Sequence, residues 1–153
     1  MTSKEPHLSE KHYDMISDLL EACRTGRIAD LLDLLREDIC LIADHREEEE
    51  KAFQWMVGLG QCSKFLKAIS PPDAKRPAYT IRQVSGRPAA LFQEPGRSQP
   101  TTLLFFEKEG QKLSRIYCFR HPARIRRQLA VRPAAEEAKV ASPETRKREV
   151  EER

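Results

Sequence analysis

Tyr79-Thr80-Ile81-Arg82-Gln83-Val84-Ser85-Gly86-Arg87-Pro88-Ala89-Ala90-Leu91-Phe92-Gln93 is the stretch on which the fold turns. Tyr79, Ile81 and Gln83 alternate with Thr80, Arg82 and Val84, the period of two that sends successive side chains to opposite faces of a strand. Ser85-Gly86 is a turn signal, and residues 89–93 read as the returning strand. Residues 101–107 and 113–119 have the same character, set off by Glu94-Pro95-Gly96 and Glu109-Gly110-Gln111. Four successive strands with short links predict an antiparallel meander.

Upstream the period changes. Ile16, Leu19, Leu20 and Cys23 follow the i, i+3, i+4, i+7 spacing and predict an amphipathic helix over residues 8–23, with Ser9 as N-cap and Gly26 as stop. Ile28, Leu31, Leu32 and Leu35 repeat the spacing in a second helix. Ile39-Cys40-Leu41-Ile42-Ala43 is a short apolar run ended by Asp44, which reads as a strand covered on both faces. The adjacent glutamates Glu47, Glu48, Glu49 and Glu50 repel one another, so residues 44–51 read as a solvated loop or an exposed helix start. Cys62, Phe65, Leu66 and Ile69 predict a third helix, ended by Ser70-Pro71-Pro72. His121-Pro122 opens a short helix through Leu129.

These elements predict an α+β domain over residues 1–130, in which a curved antiparallel sheet forms a cone and three helices pack on its concave face. Residues 131–153 are Ala, Glu, Lys, Arg and Pro with almost no large apolar side chain, and are expected to stay disordered or transiently helical.

Bulk composition narrows the class. The chain has 153 residues, of which 39% are apolar and 33% charged, with a net charge of +3. That length suits one domain, and that charge is too small to imply nucleic acid. The first ten residues carry no apolar run, and no apolar stretch approaches the roughly 20 residues that span a bilayer. A cytoplasmic protein with no membrane contact is expected. The four cysteines, Cys23, Cys40, Cys62 and Cys118, sit among apolar neighbours without metal-ligand spacing and read as reduced core thiols. Phosphate-cradling glycine loops, Gly-x-Ser-x-Gly and His-Glu-x-x-His are absent. No metal or cofactor is expected.

Three segments carry a family likeness. Residues 26–39, Gly-Arg-Ile-Ala-Asp-Leu-Leu-Asp-Leu-Leu-Arg-Glu-Asp-Ile, run as a helix into a strand. Ser85-Gly86-Arg87-Pro88-Ala89 stands where Asn-Gly-x-Pro-Ala is usual. Arg120-His121-Pro122-Ala123-Arg124-Ile125 stands where a final strand passes into Asn-Pro-Asp-Lys-Leu. Gly58 falls before the third helix. Together these resemble the SnoaL-like domains of the nuclear transport factor 2-like superfamily, closest to the domain at the C-terminus of extracytoplasmic-function sigma factors. The resemblance covers residues 8–129. It implies a cone-shaped sheet, dimerisation through that sheet, and either a regulatory binding role or cofactor-free isomerase, cyclase or hydratase chemistry. The glycine-rich loop usual after the first-strand aspartate is replaced by His45-Arg46-Glu47-Glu48.

Candidate residues follow. Asp44 ends a buried strand, and a carboxylate partly removed from water suits a general base; the plainer reading is a capping aspartate. His121 suits proton transfer or an oxyanion contact, or else satisfies backbone amides where the last helix starts. His45 is a further titratable candidate. Trp55, Tyr79, Phe92 and Tyr117 could line a ligand pocket, the tyrosines orienting a polar group, or simply fill the core. Lys112, Arg115, Arg120, Arg124, Arg126 and Arg127 form an acid-free run that could hold an anion or an acidic partner surface, although strand alternation splits some across faces and the acidic loop could neutralise them. Leu103-Leu104-Phe105-Phe106, apolar on both faces, fits a sheet covered by a second copy. The favoured expectation is a non-catalytic binding or regulatory domain, a homodimer, whose partners include a small hydrophobic ligand or transcription machinery, with nucleic acid not expected. The enzyme alternative uses Asp44 as base.

Overall fold

The amphipathic stripe of the first helix sets the core. The computed structural model describes residues 10–69, 78–94 and 96–130. α1 (Glu10–Thr25) buries Ile16, Leu19, Leu20, Ala22 and Cys23 along one face. It stops at Gly26, which takes φ +73°, a region open to glycine at little cost. α2 (Ile28–Leu34) follows, and the chain turns directly into β1 (Leu35–Ala43). Leu35 is therefore the first strand residue rather than the last helical one, and β1 begins four residues earlier than the apolar run suggests.

β2 (Gln54–Val57) is a short strand with no counterpart in the sequence reading; it pairs antiparallel with β1. α3 (Leu59–Ile69), β3 (Ala78–Val84), β4 (Arg87–Gln93), β5 (Thr102–Glu109), β6 (Lys112–Phe119) and α4 (Pro122–Ala130) complete the order. The Ser9 cap, the Ser70-Pro71-Pro72 stop and the tail over residues 131–153 lie outside the described residues.

The sheet has six strands in the order β2-β1-β6-β5-β4-β3. It is mixed rather than antiparallel throughout, because β1 runs parallel to β6. These strands are joined through the whole domain, so no hairpin dictates their relative direction. The β3–β4 hairpin closes through Ser85 (φ +54°) and Gly86 (φ +77°), the two positive φ values of a type I′ turn.

Two cores lie on the two faces. On the inner face, α1, α2 and α3 bury Ile39, Leu41, Ala43, Ala90, Phe92, Leu104, Phe106, Ile116 and Cys118 of the sheet. At about 1.5–3 kcal/mol per fully buried large side chain, this layer is the main source of stability. On the outer face, Ile125 and Leu129 of α4 pack with Val84, Ala89, Leu91, Leu103 and Phe105. The double-sided apolarity of Leu103-Leu104-Phe105-Phe106 is thus met within one chain, by α4 on one side and the helical layer on the other. A shift in the β5–β6 register between Glu107 and Lys108 sits beside Ser114, whose hydroxyl donates to the Glu107 carbonyl at 3.2 Å. The irregularity lets Leu113 and Ile116 both turn inward. Among the described residues no helix is long and apolar enough to cross a membrane.

Candidate functional site

Asp44 follows the last residue of β1, directly beside the point where β6 passes into α4. Its side chain is 1% exposed. Oδ1 accepts the Arg120 amide at 2.7 Å and Oδ2 accepts the His121 amide at 3.0 Å. Its own amide donates to the Cys118 carbonyl at 3.1 Å. His121 in turn caps α4: its Nδ1 accepts the Ala123 amide at 3.1 Å and its carbonyl receives the Ile125 amide at 3.0 Å. The carboxylate therefore sits at the amide-rich start of a helix, where negative charge is favoured. The structure brings Asp44 and His121 together, and both are occupied in holding that junction.

The acidic loop meets the basic helix. Arg124 donates from Nη2 to the Glu49 carbonyl at 2.8 Å, its Nε lies 3.9 Å from Asp44 Oδ2, and its guanidinium rests 4.6 Å from the Phe53 ring. Arg127 forms an ion pair with Glu49. The arginine run is not one surface. Arg115 lies on the outer sheet face, bonding the Tyr117 hydroxyl at 3.3 Å, whereas Arg124, Arg126 and Arg127 belong to α4. Arg120 turns the other way, its guanidinium 5.2 Å from the Phe65 ring of α3.

Of the four aromatic residues expected in a pocket, two face inward. Tyr79 and Phe92 are register partners on the helical side, with ring centroids 5.9 Å apart. The Tyr79 hydroxyl donates to Glu21 Oε2 at 2.7 Å, and Glu21 also pairs with Arg24 at 2.8 Å. Burial first, and this bond to a carboxylate second, push the Tyr79 phenol up to about 12. Trp55 and Tyr117 are corrections. Trp55 is 61% exposed on β2, and Tyr117 packs against the outer core beneath Arg87, whose guanidinium also lies 4.2 Å from the Phe105 ring. On adjacent strands Trp55, Ile42, Tyr117 and Phe105 form one outward row.

The inward row at the end of the sheet near Asp44 is Tyr79, Phe92 and Thr102, with Arg120 one step beyond the Leu103–Phe119 pair. Thr102 and Phe65 were missed by the sequence reading. The two-residue turn at Ser85-Gly86 fixes Tyr79 opposite Phe92 by counting alone, but placing Thr102 requires the longer β4–β5 link, whose register no turn signal fixes. Among the described residues no three His, Cys, Asp or Glu side chains gather as a metal site.

No protein-family profile and no curated protein matches the chain. Solved structures do. The extracytoplasmic function sigma factor SigJ of Mycobacterium tuberculosis superposes with a TM-score of 0.55 at 15% identity, over 74% of this chain and 43% of that one. An NTF2-like protein of unknown function from Cytophaga hutchinsonii gives 0.50 at 8% identity, over 82% and 98%. A protein from Pseudomonas putida described as a candidate polyketide cyclase gives 0.50 at 18% identity, over 80% and 100%. The chain spans less than half of the sigma factor, and at these identities the likeness is one of architecture. Six curled strands, an inner layer of three helices and these neighbours together establish that the chain has the nuclear transport factor 2-like α+β fold.

Proposed function

We propose that this chain is a non-catalytic binding domain of regulatory type, taking a small ligand at the Asp44 end of its inner face and a second copy of itself on its outer face. The observation that carries the reading is the state of the only acid–base pair expected from the sequence. Both Asp44 oxygens accept backbone amides, and His121 Nδ1 accepts another. Each oxygen keeps a second lone pair, but the carboxylate is 1% exposed, and a proton on it would weaken two charge-assisted bonds worth roughly 1.5–3 kcal/mol each.

The self-association half rests on the uncovered part of the outer face. α4 shields β3, β4 and β5, while Trp55 and Val57 on β2 stay 61% and 60% exposed. Trp, Tyr and Arg are the residues that dominate interface energetics, and Trp55, Tyr117 and Arg115 share this face. The neighbouring row, Val57, Cys40, Arg115 and Glu107, sets a cation beside an anion. Such a row is self-complementary across a two-fold axis. Transcription machinery enters the reading through the sigma factor among the fold neighbours.

Three experiments test this. Deuterium uptake from D2O by an enolisable cyclic ketone is expected at the buffer rate with wild type; uptake that vanishes in Asp44→Asn would instead establish the isomerase-type reading. Sedimentation velocity is expected to give a dimer that Trp55→Glu converts to monomer, and a wild-type monomer at all accessible concentrations removes the self-association. Binding to neither purified RNA polymerase nor sigma factors removes transcription machinery.

A further inference from the structure

We propose that the inner face, at its Asp44 end, binds the carboxylate of a small amphipathic monocarboxylic acid, with Arg120 as its ion partner and Thr102 as a hydroxyl donor. This rests on the ligand-binding half of the reading above and names its chemical class.

Arg120 is one of two arginines of the described residues whose Nε is buried without an acceptor. Its Nη2 donates to the Asp44 carbonyl at 2.9 Å, yet its Nε is buried with no acceptor. Arg24, Arg36, Arg124 and Arg127 each have a carboxylate within ion-pair distance; Arg120 has none among the described residues. Arg124 Nε also lacks a hydrogen-bond acceptor, but the Asp44 carboxylate stands 3.9 Å from it. Asp44 spends its own oxygens on the backbone of Arg120 and His121, not on the Arg120 guanidinium. A buried donor left unpaired is costly, and native folds rarely tolerate one without a water, an ion or a ligand to meet it.

Thr102 supplies the second group. It is the one buried neutral polar side chain of the described residues, 7% exposed, and its hydroxyl bonds to none of them. It precedes Leu103, the partner of Phe119, so Thr102 and Arg120 both lie just past the last β5–β6 pair, at the same end of the sheet. A carboxylate seated between them would take a charge-assisted bond from the guanidinium and another from the hydroxyl. The flanks are apolar: Phe65 lies against Arg120, and Phe92 is the register partner of Thr102. An aromatic or branched aliphatic body suits them. A phosphate dianion does not, since one free cation faces it and the Asp44 carboxylate lies just behind the Arg120 amide.

Calorimetric titration of the full chain with benzoate, its neutral isostere benzamide and the uncharged apolar dye N-phenyl-1-naphthylamine tests this. Benzoate is expected to bind saturably to wild type and to Arg126→Gln, an exposed α4 control. Affinity is expected to fall at least about tenfold in Arg120→Gln and about threefold in Thr102→Val, with benzamide not binding. Thr102→Val keeps the test valid if Arg120→Gln fails to fold. Equal affinity for benzoate and benzamide, or unchanged benzoate affinity in Thr102→Val and in folded Arg120→Gln, overturns the proposal. Dye binding without benzoate binding overturns the carboxylate inference but leaves a ligand-binding face; binding of neither removes both.

Discussion

Asp44 shows how one side chain joins parts of the chain that lie 76 residues apart. Asp44→Ala orphans two buried amides and removes the nearest carboxylate from Arg124. It should lower unfolding free energy by about 3 kcal/mol in urea titrations, and Asp44→Asn, which keeps one acceptor, by about half that. The sequence marks this position correctly as special, because a carboxylate ends an apolar run. The plainer reading, a capping aspartate, is the one the hydrogen bonds match; which amides it caps is not legible, because they come from the far end of the domain. The cysteines make a second residue-scale test. Cys23, Cys62 and Cys118 are buried, whereas Cys40 is half-buried on the outer face. A thiol reagent such as Ellman's should label one cysteine in the native protein and four in urea; fast labelling of more than one would contradict the packing.

Among the elements, hairpin β3–β4 was the most legible, because alternation and a two-residue turn determine both its strands and its register. Its turn is also imperfect. Ser85 sits at φ +54°, a conformation that asparagine tolerates better than serine does. Ser85→Asn should stabilise the fold by about 0.5 kcal/mol, read as a raised urea midpoint; a loss would mean that the 3.4 Å bond from the Ser85 hydroxyl to the Gln128 carbonyl matters more. β2 was illegible for the opposite reason. Only Met56 of its four residues is buried, so no alternation is visible, and Trp55 was a pocket or core candidate only as one of four aromatic residues. Tyr117 was misassigned by phase: its neighbours Ile116 and Cys118 take the inner positions, leaving the tyrosine to the outer face.

For the whole molecule, burial of ionisable groups sets the response to alkali. Burial pushes the Cys23 and Cys118 thiols up to about 12, and Cys62 up to about 11, from an ordinary value of 9.0. Tyr79 is raised to about 12 from 10.0. In each case the folded chain keeps a proton that the unfolded chain releases. The resulting stability is complete below pH 9 and is lost as pH climbs from 9 towards 12. Urea midpoints should fall steadily over that window, and the double variant Cys23→Ala, Cys118→Ala should show a shallower fall than wild type relative to its own pH 8 value. The layered architecture was readable from periodicity. The mixed sheet was not, since the pairing of β1 with β6 leaves no local trace, and neither was the use of α4 to cover the outer face.

That parallel pairing has a consequence for biosynthesis. A ribosome releases residues 35–43 long before residues 112–119, so β1, with Ile39, Leu41 and Ile42 along it, waits with one edge bare while most of the domain is still being made. The nascent chain has to be shielded through that interval, by chaperones or by transient collapse, and closes into its native topology only when the last strand leaves the exit tunnel.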